Sequence, residues 1–253
     1  MESSSTTSNV NANRLFYASC FALITTAFSF AIAAGILDQL KTELGLTAGQ
    51  AGIATSMWFL GFPISMVIGG LIYHKVGGKI IMQFAFLAHT AGIILTIYSG
   101  GYVGLLISTF LIGLGNGCTE AACNPMIAGS ATGKKMNTLM NRFHMWFPGG
   151  IVLGSLISYG MTKMELGWQA QIWIILVPTI IYAFLLINDS VLSKSFVAFC
   201  NCIKSMLSSE SKVSMICSIR SFCALSLIFK AFLKEKISAH FGTTYSCFTT
   251  YAL

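Results

Sequence analysis

GGLIYHKVGGKI, residues 69–80, is a short break between two long apolar runs. Glycine pairs stand at both ends, and its basic side chains are His74, Lys75 and Lys79. Each flanking run is about as long as the roughly 20 apolar residues that a helix needs to cross a bilayer. A tight basic turn between two such runs reads as a helical hairpin in a membrane, with its turn at the face that collects Lys and Arg.

The rest of the chain agrees with that reading. Of 253 residues, 55% are hydrophobic and 9% charged, and the mean hydropathy is +0.76. A soluble domain carries roughly 25% charged residues, so this chain cannot cover a water-facing surface. The formal charge of +7 falls between apolar runs, which is membrane topology and not a nucleic-acid surface. The single cysteines within those runs, Cys20, Cys118 and Cys123, have no metal spacing and read as small packing residues.

Six apolar runs can be placed, near 15–37, 51–73, 80–99, 102–128, 143–161 and 168–187. Their lengths exclude barrel strands, which need only about 10 alternating residues. Arg14, then His74, Lys75 and Lys79, then Lys134, Lys135 and Arg142 alternate with connections that are neutral or acidic. The basic excess lies on one side throughout, which predicts a cytoplasmic N-terminus and a multi-pass cell-membrane protein. Residues 1–13 are polar, lack the positive start of a signal peptide, and read as a cytoplasmic N-terminus.

Composition changes near residue 188. Of 24 glycines, all but Gly242 lie before it, as do all four prolines. Residues 188–253 therefore read as a poorly defined cytoplasmic or membrane-surface tail. Arg220, near the centre of its best apolar stretch, argues against a seventh span.

The polar residues inside the spans point to function. In TEAACNPMIAG, residues 119–129, Glu120 and Asn124 lie four apart, and Asn116 precedes them by four. That spacing puts all three on one helix face, and Pro125 frees a backbone carbonyl beside them. The stripe reads either as interhelical hydrogen bonding or as a solute and proton site at mid-membrane depth; the second reading is preferred because intramembrane carboxylates are costly. MNRFHMWFPGG, residues 140–150, gathers Asn141, Arg142, His144 and Trp146 at the entry to the fifth run. Arg142 reads as an anchor, His144 as an interface or inner-gate histidine, and Trp146 as a bilayer-interface residue or a ring that stacks on a sugar. Asn13, Gln39, Gln83 and His89 are lesser candidates. No phosphate loop, HExxH or GxSxG occurs, so the chain does not read as an enzyme, and no cofactor is expected.

These motifs resemble the major facilitator superfamily. Gly70, Lys75, Gly77 and Lys79 match its signature loop after the second span, with His74 where the family usually has aspartate and Gly78 in place of one basic residue. The resemblance implies a gating role for Gly70, His74, Lys75, Gly77 and Lys79. The Glu-x-x-x-Asn-Pro spacing is similar to the fucose-type sugar/proton symporter branch, and Asn141 and His144 fit an Asn-x-x-His entry to the fifth span. The branch's acidic residue in the first span aligns near Ala34, which is apolar. The implied fold is an all-α membrane protein: six transmembrane helices over 14–187 that form the N-terminal half of a major facilitator fold. The implied function is transport of a sugar-like small solute in symport with H+. Glu120, Asn124, Asn116, Asn141, His144 and Trp146 would form the binding site, with a second half-transporter or a second copy completing the cavity. The half reads as a truncated gene product whose tail is non-family sequence; the alternative is a non-transporting fragment or membrane interaction protein lacking the second half.

Overall fold

A computed structural model describes residues 12–186. The tail at 188–253 and nearly all of the polar segment 1–13 lie outside the described residues. The described residues form α1 (Ala12–Gly35), α2 (Leu37–Glu43), α3 (Ala48–Val76), α4 (Gly78–Tyr98), α5 (Tyr102–Ala128), α6 (Gly133–Lys163) and α7 (Trp168–Leu186). In hydrocarbon every backbone N–H and C=O has to be paired within the segment, and the helix achieves this. Buried hydroxyls are paired in the same way: Ser19, Thr90, Thr109 and Thr179 each donate to the carbonyl four residues back, at 2.7–2.9 Å.

Six of these helices are long, and they correspond to the six runs of the sequence. Five are long and apolar enough to cross a membrane: α1, α3, α4, α5 and α7. In α6, His144, Trp146, Pro148 and five glycines dilute the apolar residues. Its direction nevertheless makes it a sixth crossing.

Contacts along each helix pair establish that direction. On α1 and α6, Ala27 meets Gly150, Ala31 meets Gly154 and Gly35 meets Ser158. The partners advance together, so these helices run parallel. On α3 and α5, Gly61 packs against Gly113, Ser65 against Gly117 and Gly69 against Ala121, which is again a parallel register. By contrast, α4 and α5 are antiparallel, with Met82 beside Cys123 and His89 beside Asn116. Helices α1 and α7 are antiparallel too, with Arg14 beside Leu185 and Thr25 beside Thr179. Ser29 beside Asn116, with Cys20 close to Cys123, sets α1 against α5. Helices α1, α4 and α6 therefore run one way and α3, α5 and α7 the other, as six successive crossings require.

Small residues every four positions make the two parallel seams possible, because they let helix axes approach closely where lipid supplies no hydrophobic drive. A Cβ on Gly61 would stand 2.6 Å from the Phe110 carbonyl oxygen, and one on Gly117 would overlap the Phe62 carbonyl. Trp58 and Trp168 fill the core and are fully buried, with relative exposures of 0% and 2%.

Two connections differ from the sequence reading. The acidic stretch after the first run is not a loop but α2, whose first turn carries Asp38, a favourable place for a negative charge. The start of α3 has a reciprocal cap: Gln50 N donates to Thr47 Oγ1 at 3.2 Å, and Thr47 N donates to Gln50 Oε1 at 3.0 Å. At the far end of the bundle, Arg14 donates to the Leu185 carbonyl at 2.6 Å and so satisfies an otherwise orphaned group at the end of α7.

The seams are testable. Gly117→Ala should lower stability by about 1–3 kcal/mol, the usual range for overpacking, read as a fall in thermal unfolding temperature of the purified protein. Gly70→Ala, at a helical position with open space around it, should be neutral or slightly stabilising. Equal effects at the two positions would contradict the backbone contact.

Candidate functional site

Helix α5 carries the polar groups, and the structure divides them between two surroundings. Asn124 Nδ2 donates to Glu120 Oε2 at 2.8 Å across one helical turn. Glu120 is half-buried. His144 of α6 lies close enough to Glu120 for their charges to interact. Asn124 Oδ1 is buried without a hydrogen-bond partner among the described residues. Pro125, within the helix, has no N–H to give the carbonyl of Ala121. A carboxylate, an unfilled amide oxygen and a freed backbone carbonyl thus gather within six residues. All three are acceptors, and together they suit a ligand that brings O–H or N–H donors.

Asn116 does not join this group. It is fully buried at 0% exposure, where its Nδ2 donates to Ser29 Oγ of α1 at 2.8 Å and its Oδ1 meets His89 Nε2 of α4 at 2.9 Å. The other ring nitrogen of His89 meets the Tyr182 hydroxyl of α7 at 3.1 Å. Gly115 leaves room for the imidazole, since a Cβ there would overlap it. The four-residue spacing on α5 is real, but Asn116 and Glu120 face different neighbours. His89, a lesser candidate in the sequence, is the hub of this cluster. Ser29 and Tyr182 were not singled out by sequence reasoning, because a lone hydroxyl in an apolar run has no local signal.

The other candidates sit on the first half of α6. Asn141, Arg142, His144 and Trp146 are all exposed. Arg142 and Trp146, with Phe16, Tyr17 and Ile24 of α1, line an open groove of about 660 Å³ between α1 and α6. Phe21 lies 6.4 Å from the Trp146 ring, centroid to centroid.

The signature segment is hardly a loop at all. Helix α3 runs through Val76 and α4 begins at Gly78, so Gly77 alone turns the chain, at φ 80°. An L side chain rarely takes that conformation, which accounts for glycine there. His74 and Lys75 lie in the last turn of α3, favourable for positive charge. Gly78, where the family's loop has a basic residue, is buried, and a Cβ on it would press on Met126 and Tyr73.

Comparison with known proteins fits this architecture. The sequence profile of the Major Facilitator Superfamily matches residues 19–251, and the chain belongs to that family. Among similar proteins is a myo-inositol transporter of Candida albicans, 24% identical over 57% of this chain and 27% of its own length. A hexuronate transporter of Bacillus subtilis is 25% identical over 58% of this chain and 34% of its own. The sialic acid transporter NanX of Escherichia coli is 23% identical over 68% and 42%. The crystal structure of a mutant peptide transporter, solved with sulfate, superposes with a TM-score of 0.58 at 20% identity, over 70% of this chain and 37% of that one. The alignments span between a quarter and just over two fifths of these relatives' lengths. The chain is thus a multi-pass membrane protein of a transporter family.

Gly77→Ala should cost about 1–2 kcal/mol, the penalty for an L residue held at positive φ, as a lowered unfolding temperature. An unchanged temperature would show that the turn tolerates a side chain.

Proposed function

We propose that this chain is the N-terminal six-helix half of a secondary active transporter for a sugar-like solute, carried in symport with protons. The observation that carries the reading is the Glu120–Asn124 pair: a half-buried carboxylate hydrogen-bonded to an amide whose own oxygen has no partner among the described residues. Two solute hydroxyls can donate, one to Asn124 Oδ1 and one to Glu120, and each bond removes the cost of a desolvated acceptor. Glu120 is the proton carrier. Protonated, it crosses the low-dielectric interior as a neutral group; ionised, it accepts from the solute and from Asn124. His144 stands beside it as the exchange partner on α6, with Asn141 at the entry. Trp146 supplies a flat apolar face for a sugar ring. Asn116 belongs to the site indirectly, through the packing of α5. The fucose-type resemblance of Glu-x-x-x-Asn-Pro and the polyhydroxylated molecules named for several relatives support this solute class.

Gly70, His74, Lys75, Gly77 and Lys79 form the gating turn at the basic end of the bundle. Alternation of the six helices brings Arg14, the α3–α4 turn and the α5–α6 turn to one end, and the excess of Lys and Arg there supports a cytoplasmic side for that end and for the N-terminus. A major facilitator site lies between two six-helix halves, so a second half-transporter or a second copy supplies the opposite wall. A second reading is a non-transporting membrane protein or interaction partner.

Uptake into proteoliposomes under an imposed proton gradient, acidic outside, over a panel of hexoses, deoxyhexoses and polyols separates the two readings. The transport reading expects flux of at least one solute, faster with an acidic exterior, and lost in Glu120→Gln. Undiminished flux in Glu120→Gln would remove Glu120 from the mechanism, and no flux across the panel would favour the second reading.

A further inference from the structure

The hydrogen bonds around His89 have a single consistent order, fixed by one backbone carbonyl. Ser29 Oγ lies 2.8 Å from the Thr26 carbonyl oxygen. A carbonyl can only accept, so the Ser29 hydroxyl proton is spent there. Ser29 Oγ must then accept from Asn116, which turns the amide nitrogen of Asn116 toward α1, at 2.8 Å. Asn116 Oδ1 therefore faces His89 at 2.9 Å and needs a donor, which is Nε2–H. That leaves Nδ1 as the lone-pair nitrogen, and it accepts the Tyr182 hydroxyl proton over 3.1 Å. The backbone of α1 thus sets the tautomer of a histidine on α4. Ser29, Asn116, His89 and Tyr182 are each at 0% exposure, and the chain joins α1, α5, α4 and α7.

Its place on α5 gives it a consequence. Four residues advance a helix by slightly more than one turn, leaving Glu120 about 40° around the axis from Asn116. A roll of α5 by that amount would carry Glu120 into the closed interface that Asn116 now fills. We propose that the Ser29–Asn116–His89–Tyr182 chain is the positioning device of the solute site: it clamps Asn116 between α1 and α4, fixes the roll of α5, and so aims Glu120 at α6. His89 is a positioning residue, not a proton carrier. The proposal rests on the reading of Glu120 as the site's carboxylate, but its test does not need transport.

Two spectroscopic readouts on the full chain in detergent or nanodiscs test it. Nitrogen NMR of His89 should show a protonated Nε2 and an unprotonated Nδ1. The infrared carboxyl band of Glu120, identified by its loss in Glu120→Gln, should shift in His89→Phe, which keeps a ring and cuts the chain. It should return in His89→Gln, whose amide can donate to Asn116 and accept from Tyr182. Tyr182→Phe, a milder change that keeps the ring, should leave the Nε2–H tautomer that Asn116 fixes and shift the same band less; it serves if His89→Phe does not fold. An Nδ1–H tautomer in the unaltered protein would overturn the proposal. So would a Glu120 band that neither His89→Phe nor Tyr182→Phe moves, or one that His89→Phe and His89→Gln shift alike. A chain that moves no solute would leave these results standing and would count only against the transport reading.

Discussion

Close approach of backbones along two parallel helix pairs is the constraint on which the rest of this bundle depends. Gly61, Ser65 and Gly69 of α3 meet Gly113, Gly117 and Ala121 of α5, while Ala27, Ala31 and Gly35 of α1 meet Gly150, Gly154 and Ser158 of α6. Lipid tails are as apolar as the side chains they touch, so burial alone does not hold these helices together; dispersion contacts at short range and interhelical hydrogen bonds do. Once those seams are closed, the separation and register of α3 on α5 and of α1 on α6 are set.

The same constraint explains how polar residues divide on α5. Where α5 packs on α1 and α4 Asn116 is fully buried, and it is tolerated there because both ends of its amide are hydrogen-bonded. Glu120 and Asn124 face a region where pairing is incomplete, with an amide oxygen left over. Buried polar groups are nearly always paired, and the buried side-chain oxygen left open on this helix, Asn124 Oδ1, lies beside its one carboxylate.

Much of the fold could be read in the sequence, because it is written in local composition. Run length and basic turns identified six crossings. The α3–α4 connection was correctly placed, but its reduction to the single residue Gly77 depends on a backbone dihedral that composition does not encode. Helix α2 escaped because seven residues around Asp38 and Lys41 have the polarity of a loop. In the site, the Glu120–Asn124 pairing was legible because it is four residues apart on one helix. The His89 cluster was not: its four members come from residues 29, 89, 116 and 182, and only tertiary packing brings them together.

The central claim is that α5 presents Glu120 to a solute-filled space and keeps Asn116 away from it. Cysteine accessibility tests this directly, in a background in which the native cysteines are replaced. Glu120→Cys should react with a small hydrophilic thiol reagent in the membrane-embedded protein, and a transported solute should slow that reaction, while Asn116→Cys should stay inert. A reactive Asn116→Cys with an inert Glu120→Cys would contradict the account.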